Sequence, residues 1–234
     1  MPDLERPPTY SSIDPRQSKP TTSIETTTQE PQDRIFTLHR AQDHARSSGI
    51  HIKQNDNTLY YVGHYNGPTQ SSDIILYAGY DSLGPWLAQL RFEQYSKDFK
   101  VYIGDLKTPA KDDWDVVRCA AGGGIFSDSA FRFECRCGSK KSRLYWTRTR
   151  DSKLGASRWS PRDFRLVDEE SAAVVAAYVE KHLGEGAVKG SVRFLQEVEP
   201  KVEVMGLMVL LGLLDKTRRY MMSVARAFPN TNGY

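Results

Sequence analysis

The chain has 234 residues, with 32 Lys/Arg against 29 Asp/Glu and a formal net charge of +3. That length holds one ordinary domain, with or without a tail, and the near-neutral total demands neither a nucleic-acid nor a membrane partner. Three cysteines cannot build a disulfide framework, and their odd number points to a reducing, cytoplasmic setting.

Residues 1–34 hold six of the twelve prolines and ten Ser/Thr, but a single aromatic, Tyr10. Such a segment cannot bury enough apolar surface to offset its ordering entropy, so a disordered Pro/Ser/Thr-rich tail is expected. Met1–Tyr10 has no apolar stretch, which argues against a secretory signal. Within the tail, Pro7-Pro8-Thr9-Tyr10 fits the P-P-x-Y pattern. Its prolines favour a polyproline II conformation, and the tyrosine suits a second groove on a WW domain. A WW-domain protein is the partner this motif implies, and chance in a proline-rich tail is the competing reading.

From Ile35 the chain reads as short strands separated by turn residues: Ile35–Arg40, Ile50–Gln54, Leu59–Tyr65, Ile74–Gly79, Trp86–Phe92, Phe99–Gly104 and Trp114–Cys119. After Gly122-Gly123-Gly124 come Ala130–Cys137, Arg143–Thr149, Asp163–Val167, Ala172–Val179 and Val188–Glu197. About twelve strands at this spacing fit a sandwich or a barrel. Alternation is clearest in Phe131-Arg132-Phe133-Glu134-Cys135-Arg136-Cys137, apolar on one face and charged on the other. Ala172–Val179 also suits a helix, since alanine is a strong helix former.

The C-terminus breaks the pattern. Pro200 and Glu203 suit the first turn of a helix, and Val204–Leu214 follows without one polar side chain. Eleven apolar residues fall short of the roughly 20 that span a bilayer. A helix apolar all round is expected to be buried on every side. Beyond Asp215 the pattern turns amphipathic, with Leu213, Thr217, Tyr220, Met221, Val224 and Phe228 on one face and Asp215, Arg218, Arg219 and Arg226 opposite. Wrapped at its start and half-wrapped at its end, this helix of about 201–226 suits a plug inside a closed sheet, which would also remove exposed strand edges. The expected fold is therefore mainly β: about twelve strands in a closed barrel around a buried C-terminal α-helix, spanning 35–228.

Leu144-Tyr145-Trp146-Thr147-Arg148, Lys153-Leu154-Gly155-Ala156-Ser157, Arg162-Asp163-Phe164-Arg165-Leu166-Val167-Asp168 and the helix Val202–Arg219 resemble the tubby-like superfamily. It includes tubby C-terminal domains, LURP-one-related proteins and phospholipid scramblases, and the likeness is nearest to a fungal branch. The resemblance covers about Ile35 to Phe228 and implies a twelve-stranded barrel around a central C-terminal helix. Tubby domains bind phosphoinositides through a basic pocket, but no residue of that pocket maps onto this chain. Scramblases often carry P-P-x-Y tails, which fits Pro7–Tyr10. They also carry an acidic calcium-binding segment and palmitoylated cysteine clusters, and this chain matches neither.

The small net charge hides an uneven distribution. Residues 132–165 contain eleven Lys/Arg against Glu134, Asp151 and Asp163. Basic side chains near an anionic membrane are worth about 1 kcal/mol each. The same segment can attract nucleic acid, with stacking from Tyr145, Trp146 or Trp159, or merely solvate the surface. Arg148 and Arg150 are expected in a loop after the strand, since Asp151-Ser152-Lys153-Leu154-Gly155 is turn-like. There they would form a barrel rim with Lys153 and Arg158, and Arg143 joins these four as a candidate anion or lipid contact.

Cys135-Arg136-Cys137, with Cys119 upstream, lacks the second pair or nearby His of a zinc site, so buried strand cysteines are expected and no metal. Gly122-Gly123-Gly124 lacks the lysine and spacing of a phosphate loop. His39, His44, His51, His64 and His182 are scattered, and no acid, base and nucleophile converge in the sequence. The expectation is a non-enzymatic cytoplasmic module, without cofactor, that sits peripherally on membranes and binds anionic lipid such as a phosphoinositide. The alternatives are a scaffold recruited through the P-P-x-Y tail with no lipid role, scramblase-like lipid handling, or an enzyme.

Overall fold

Turn chemistry and alternation together set the wall of the molecule. The computed structural model describes residues 34–41, 49–65, 72–105, 109–120, 130–181 and 188–227; the tail motif Pro7–Tyr10 and Gly122–Gly124 lie outside them. Twelve strands follow in chain order: β1 (Arg34–Arg40), β2 (Ile50–Gln54), β3 (Asn57–His64), β4 (Ile74–Ala78), β5 (Trp86–Phe92), β6 (Phe99–Ile103), β7 (Asp115–Ala120), β8 (Ala130–Cys137), β9 (Lys140–Arg148), β10 (Phe164–Asp168), β11 (Val174–Glu180) and β12 (Val188–Phe194). Each pairs antiparallel with its neighbours in sequence, and β1 pairs with β12 to close a barrel. The β2–β3 hairpin turns on Asn55 and Asp56, both at positive φ, as a two-residue turn matched to the strand twist requires. Val174–Glu180 is a strand, so the helical alternative for that segment fails; its paired position between β10 and β12 overrides alanine's helix preference.

A single long helix, α1 (Pro200–Ala227), runs through the lumen. We call the end where it starts the floor and the end where it emerges the mouth. Its residues Met205 and Leu207–Leu213, Gly212 apart, are fully buried apolar side chains, and the wall answers with Phe36, Leu38, Ile52, Leu76, Leu90, Phe99, Trp146, Leu166 and Phe194. Burying such a side chain is worth roughly 1.5–3 kcal/mol, so wall and helix stabilise each other. Trp146 ties them directly: its Nε1 donates to the Gly206 carbonyl at 2.9 Å. At the floor, Glu203 is buried and pairs with Arg34 at 3.0 Å. Burial raises its carboxyl above the usual range, with Arg34 pulling the other way.

Two glycines make the fit possible. A Cβ on Gly212 would lie 2.7 Å from Leu90 Cδ1 and 2.9 Å from Phe99 Cε2, and one on Gly206 would lie 3.3 Å from Leu166 Cδ2. In a solvent-exposed helix Gly→Ala gains up to about 1 kcal/mol. Here Gly212→Ala is expected to destabilise instead, by about 1–2 kcal/mol through overpacking. Urea denaturation checks the sign.

Two expectations about the chain's charged ends need correction. Arg148 is the last residue of β9, opposite Phe164, because its Nη2 finds an acceptor in the Ser160 carbonyl at 3.1 Å. Asp215, assigned to the polar face of the helix, is buried, and past Thr217 the apolar residues Tyr220, Met221, Met222 and Val224 are exposed. The helix outlasts the wall, so both faces of its last turns meet solvent. Among the described residues no helix is long and apolar enough to cross a membrane.

The wall is unevenly zipped. The β8–β9 ladder holds seven register pairs, whereas β7–β8 holds three, from Arg118↔Arg132 to Ala120↔Ala130.

Candidate functional site

The mouth gathers cationic and titratable side chains from several elements. The connection from β9 to β10, residues 149–163, is fastened from within. Asp163 is buried: its Oδ1 accepts from the Glu180 amide at 2.9 Å and its Oδ2 from the Ser157 amide at 2.6 Å. Asp151 caps a short 3-10 turn by accepting from the Lys153 amide, and Gly155 closes it in the left-handed conformation at φ 81°, which glycine adopts without steric cost. Arg162 pairs with Glu180 at 2.6 Å. The loop is thus a built platform.

From that platform Arg150, Lys153 and Arg158 project into solvent, and none has an ion-pair partner among the described residues. Trp159, on the same loop, has 85% of its surface exposed, the Arg158 guanidinium 5.9 Å from its ring centre. The other two predicted contacts do not join this group. Arg148 fastens the loop through Ser160. Arg143 lies five residues nearer the floor, about 16 Å along the strand, and is held at 3.3 Å by Glu134. Of the aromatics considered for stacking, Trp146 is core, whereas Tyr145 lies on the outer face near Arg132.

The emerging helix completes the mouth. Asp215 accepts from Arg218 and Arg219, both at 2.6 Å, with the His64 Nδ1 at 4.0 Å. Burial raises the Asp215 carboxyl, but the two arginines outweigh it and hold it below the usual carboxylate range. Burial likewise drives the His64 imidazole down to about 4, against the pull of Asp215. Lys216 donates to the carbonyls of Ser96 and Asp98 at 3.1 and 3.3 Å, clamping the β5–β6 loop to the helix.

A cavity of about 370 Å³ opens beside the helix, lined by His64, Arg162, Lys181, Lys189 and Arg218 over an apolar base. Its carboxylates are Glu180 and Asp215, both engaged by arginines. Burial, then Arg40 and Arg218, push the Lys189 ammonium below its usual value, so an anion in the cavity would be stabilised by it. On the other side of the helix, a cavity of about 340 Å³ is bordered by Phe131, Phe164, Leu213 and Tyr220.

Sequence reasoning missed His64, Asp215, Lys181 and Lys189. Each comes from a different element, and only the closure of the barrel brings them together. Cys135 and Cys137 face each other with sulfurs 4.0 Å apart, and burial pushes the Cys135 thiol up to about 12. Among the described residues no group of three or more His, Cys, Asp or Glu is placed to hold a metal ion. The chain matches no protein-family model, no curated protein and no solved structure.

Proposed function

We propose that this barrel is a non-enzymatic module that docks by its mouth onto anionic membrane surfaces. One observation carries the reading: three exposed cations without an ion-pair partner among the described residues share a fastened loop with an exposed tryptophan, Arg158 lying 5.9 Å from its ring centre. Tryptophan partitions to the level of lipid headgroups, where its ring is apolar and its N–H stays wet. Arg150, Lys153 and Arg158 supply long-range attraction, roughly 1 kcal/mol each near an anionic surface. Tyr220, Met221, Met222 and Val224 on the emerging helix offer a second apolar contact at the same end, and the cavity lined by Lys181 and Lys189 suits one anionic headgroup. The closed twelve-stranded barrel around a C-terminal helix is compatible with a tubby-like domain, and we assign the chain to that superfamily as part of this proposal.

The test is co-sedimentation of the full chain with liposomes. Binding is expected to rise with the fraction of phosphatidylserine or phosphoinositide and to fall with salt. Changing Arg150, Lys153 and Arg158 together to alanine is expected to weaken it by about two orders of magnitude, equivalent to about 3 kcal/mol. Trp159→Ala should lower binding with little change in its salt dependence. Binding that ignores both lipid charge and salt would overturn the proposal.

A further inference from the structure

The cavity of about 340 Å³ beside α1 differs in kind from its basic neighbour. Leu213, Thr217, Tyr220 and Ser223 border it from the helix, and that spacing keeps all four on one face. From Leu213 to Ser223 the helix rises about 15 Å, while exposure climbs from 2% at Leu213 to 38% at Tyr220. The cavity therefore starts against the core and ends in solvent. Cys119, Phe131 and Phe164 border it from the wall. Spread over that length, the volume makes a channel on the order of 20 Å² in section, the width of one hydrocarbon chain. It is also more than twice the roughly 150 Å³ of an apolar cavity that holds benzene.

The polar groups along the helical border already have partners. Thr217 Oγ1 donates to the Leu213 carbonyl at 2.8 Å, and Ser223 Oγ to the Tyr220 carbonyl at 2.7 Å. The Lys216 ammonium is committed to the Ser96 and Asp98 carbonyls, and the Arg219 guanidinium to Asp215 and Asp73. What remains to attract an occupant inside the channel is the hydrophobic effect. Lys97 differs from these cations. It borders the cavity, is exposed, and has no ion-pair partner among the described residues. An apolar channel with one such cation at its edge is complementary to a hydrocarbon chain that ends in a single anionic group.

We infer that this channel binds one long-chain fatty acid, with its tail along Leu213–Tyr220 and its carboxylate at Lys97. The tail displaces water from apolar walls. The carboxylate stays hydrated at the open edge while it pairs with Lys97, which avoids the cost of burying a charge. No bond is made or broken. Binding of this kind needs no membrane and uses none of Arg150, Lys153 and Arg158, so it stands or falls independently of membrane docking.

The probe is dansylaminoundecanoic acid, titrated into the full chain without liposomes and displaced by saturated fatty acids below their micelle concentrations. Saturable binding is expected, with affinity rising about fourfold per methylene from octanoate to laurate. Thr217→Phe, which fills the middle of the channel, should weaken laurate at least tenfold with an unchanged urea midpoint. Ser223→Trp obstructs the open end and serves as the second block if the first disturbs the fold. Lys97→Glu should weaken laurate at least fivefold and leave dodecanol unchanged. In the unaltered chain, laurate should slow alkylation of Cys119 by N-ethylmaleimide, located by mass spectrometry, and leave that of Cys137 as it was. Absence of saturable binding, affinity that ignores chain length, unprotected Cys119, or laurate binding that survives both blocks would overturn the inference. An equal loss of laurate and dodecanol in Lys97→Glu would overturn the placement of the carboxylate.

Discussion

Replacing Trp146 by alanine is expected to cost roughly 3–5 kcal/mol, the range for removing a fully buried large aromatic. Trp146 has no exposed surface, and its cross-strand partners on β8 and β10 are Phe131 and Leu166, both in the core. Its indole reaches the helix backbone at the Gly206 carbonyl, while Leu166 and Phe194 lie against the place where Gly206 has no side chain. Alanine leaves a cavity there that neither the closed barrel nor the enclosed helix can collapse into. Trp146→Phe separates packing from polarity: it keeps most of the volume but removes the donor to the Gly206 carbonyl, a loss of about 1–2 kcal/mol. Urea denaturation with an unchanged m-value checks both variants. A loss under about 1 kcal/mol for Trp146→Ala would mean that the helix is not seated as described.

The second large effect is a dependence on pH. The folded His64 imidazole titrates at about 4, against 6.5 for the ordinary group. Between those values the unfolded chain takes up a proton that the folded chain refuses, so stability falls as pH falls through this window. The slope approaches about 1.4 kcal/mol per pH unit, and on the order of 3 kcal/mol is lost by pH 4. Asp215 acts in a lower range. Its carboxyl is held down by Arg219 and Arg218 despite burial, so its contribution is complete above the unfolded value and disappears as pH drops through its own depressed one. His64→Gln should flatten the profile between pH 6.5 and 4 and leave the steeper acid limb. Urea midpoints at pH 7, 5.5 and 4.5 distinguish the two chains. Parallel profiles would show that His64 is not held neutral by burial.

The parts of the fold legible in the sequence are those governed by local pattern. Phe131 to Cys137 alternate strictly, and they form β8 with Phe131, Phe133 and Cys135 inside. The polar-free run Val204–Leu214 became the lumen helix, since no surface position tolerates it. What failed was governed by neighbours distant in sequence. Arg148 extends β9 because Ser160, twelve residues on, offers a carbonyl. Asp215 is tolerated inside because Arg218 and Arg219 lie one helical turn away and curl back over it. Of the candidate rim, turn chemistry located Arg150, Lys153 and Arg158 on one loop, but nothing local revealed that Glu134 would occupy Arg143. The shortness of the β7–β8 ladder is equally silent in the sequence, because β8 alternates without interruption past its end.

The placement of α1 has a consequence in time. Arg34 must find Phe194 about 160 residues later for the wall to close, and the segment that fills the lumen follows that last strand in the chain. Pairings this distant are slow to form, because the entropy of closing the long loop is lost before any contact rewards it. A ribosome would therefore release most of the wall before the stretch Pro200–Leu214 is available, leaving Phe36, Leu90 and Trp146 wet in the interval. Newly made chains are expected to depend on chaperones during that interval, and a cut before Pro200 should leave a chain that cannot finish folding.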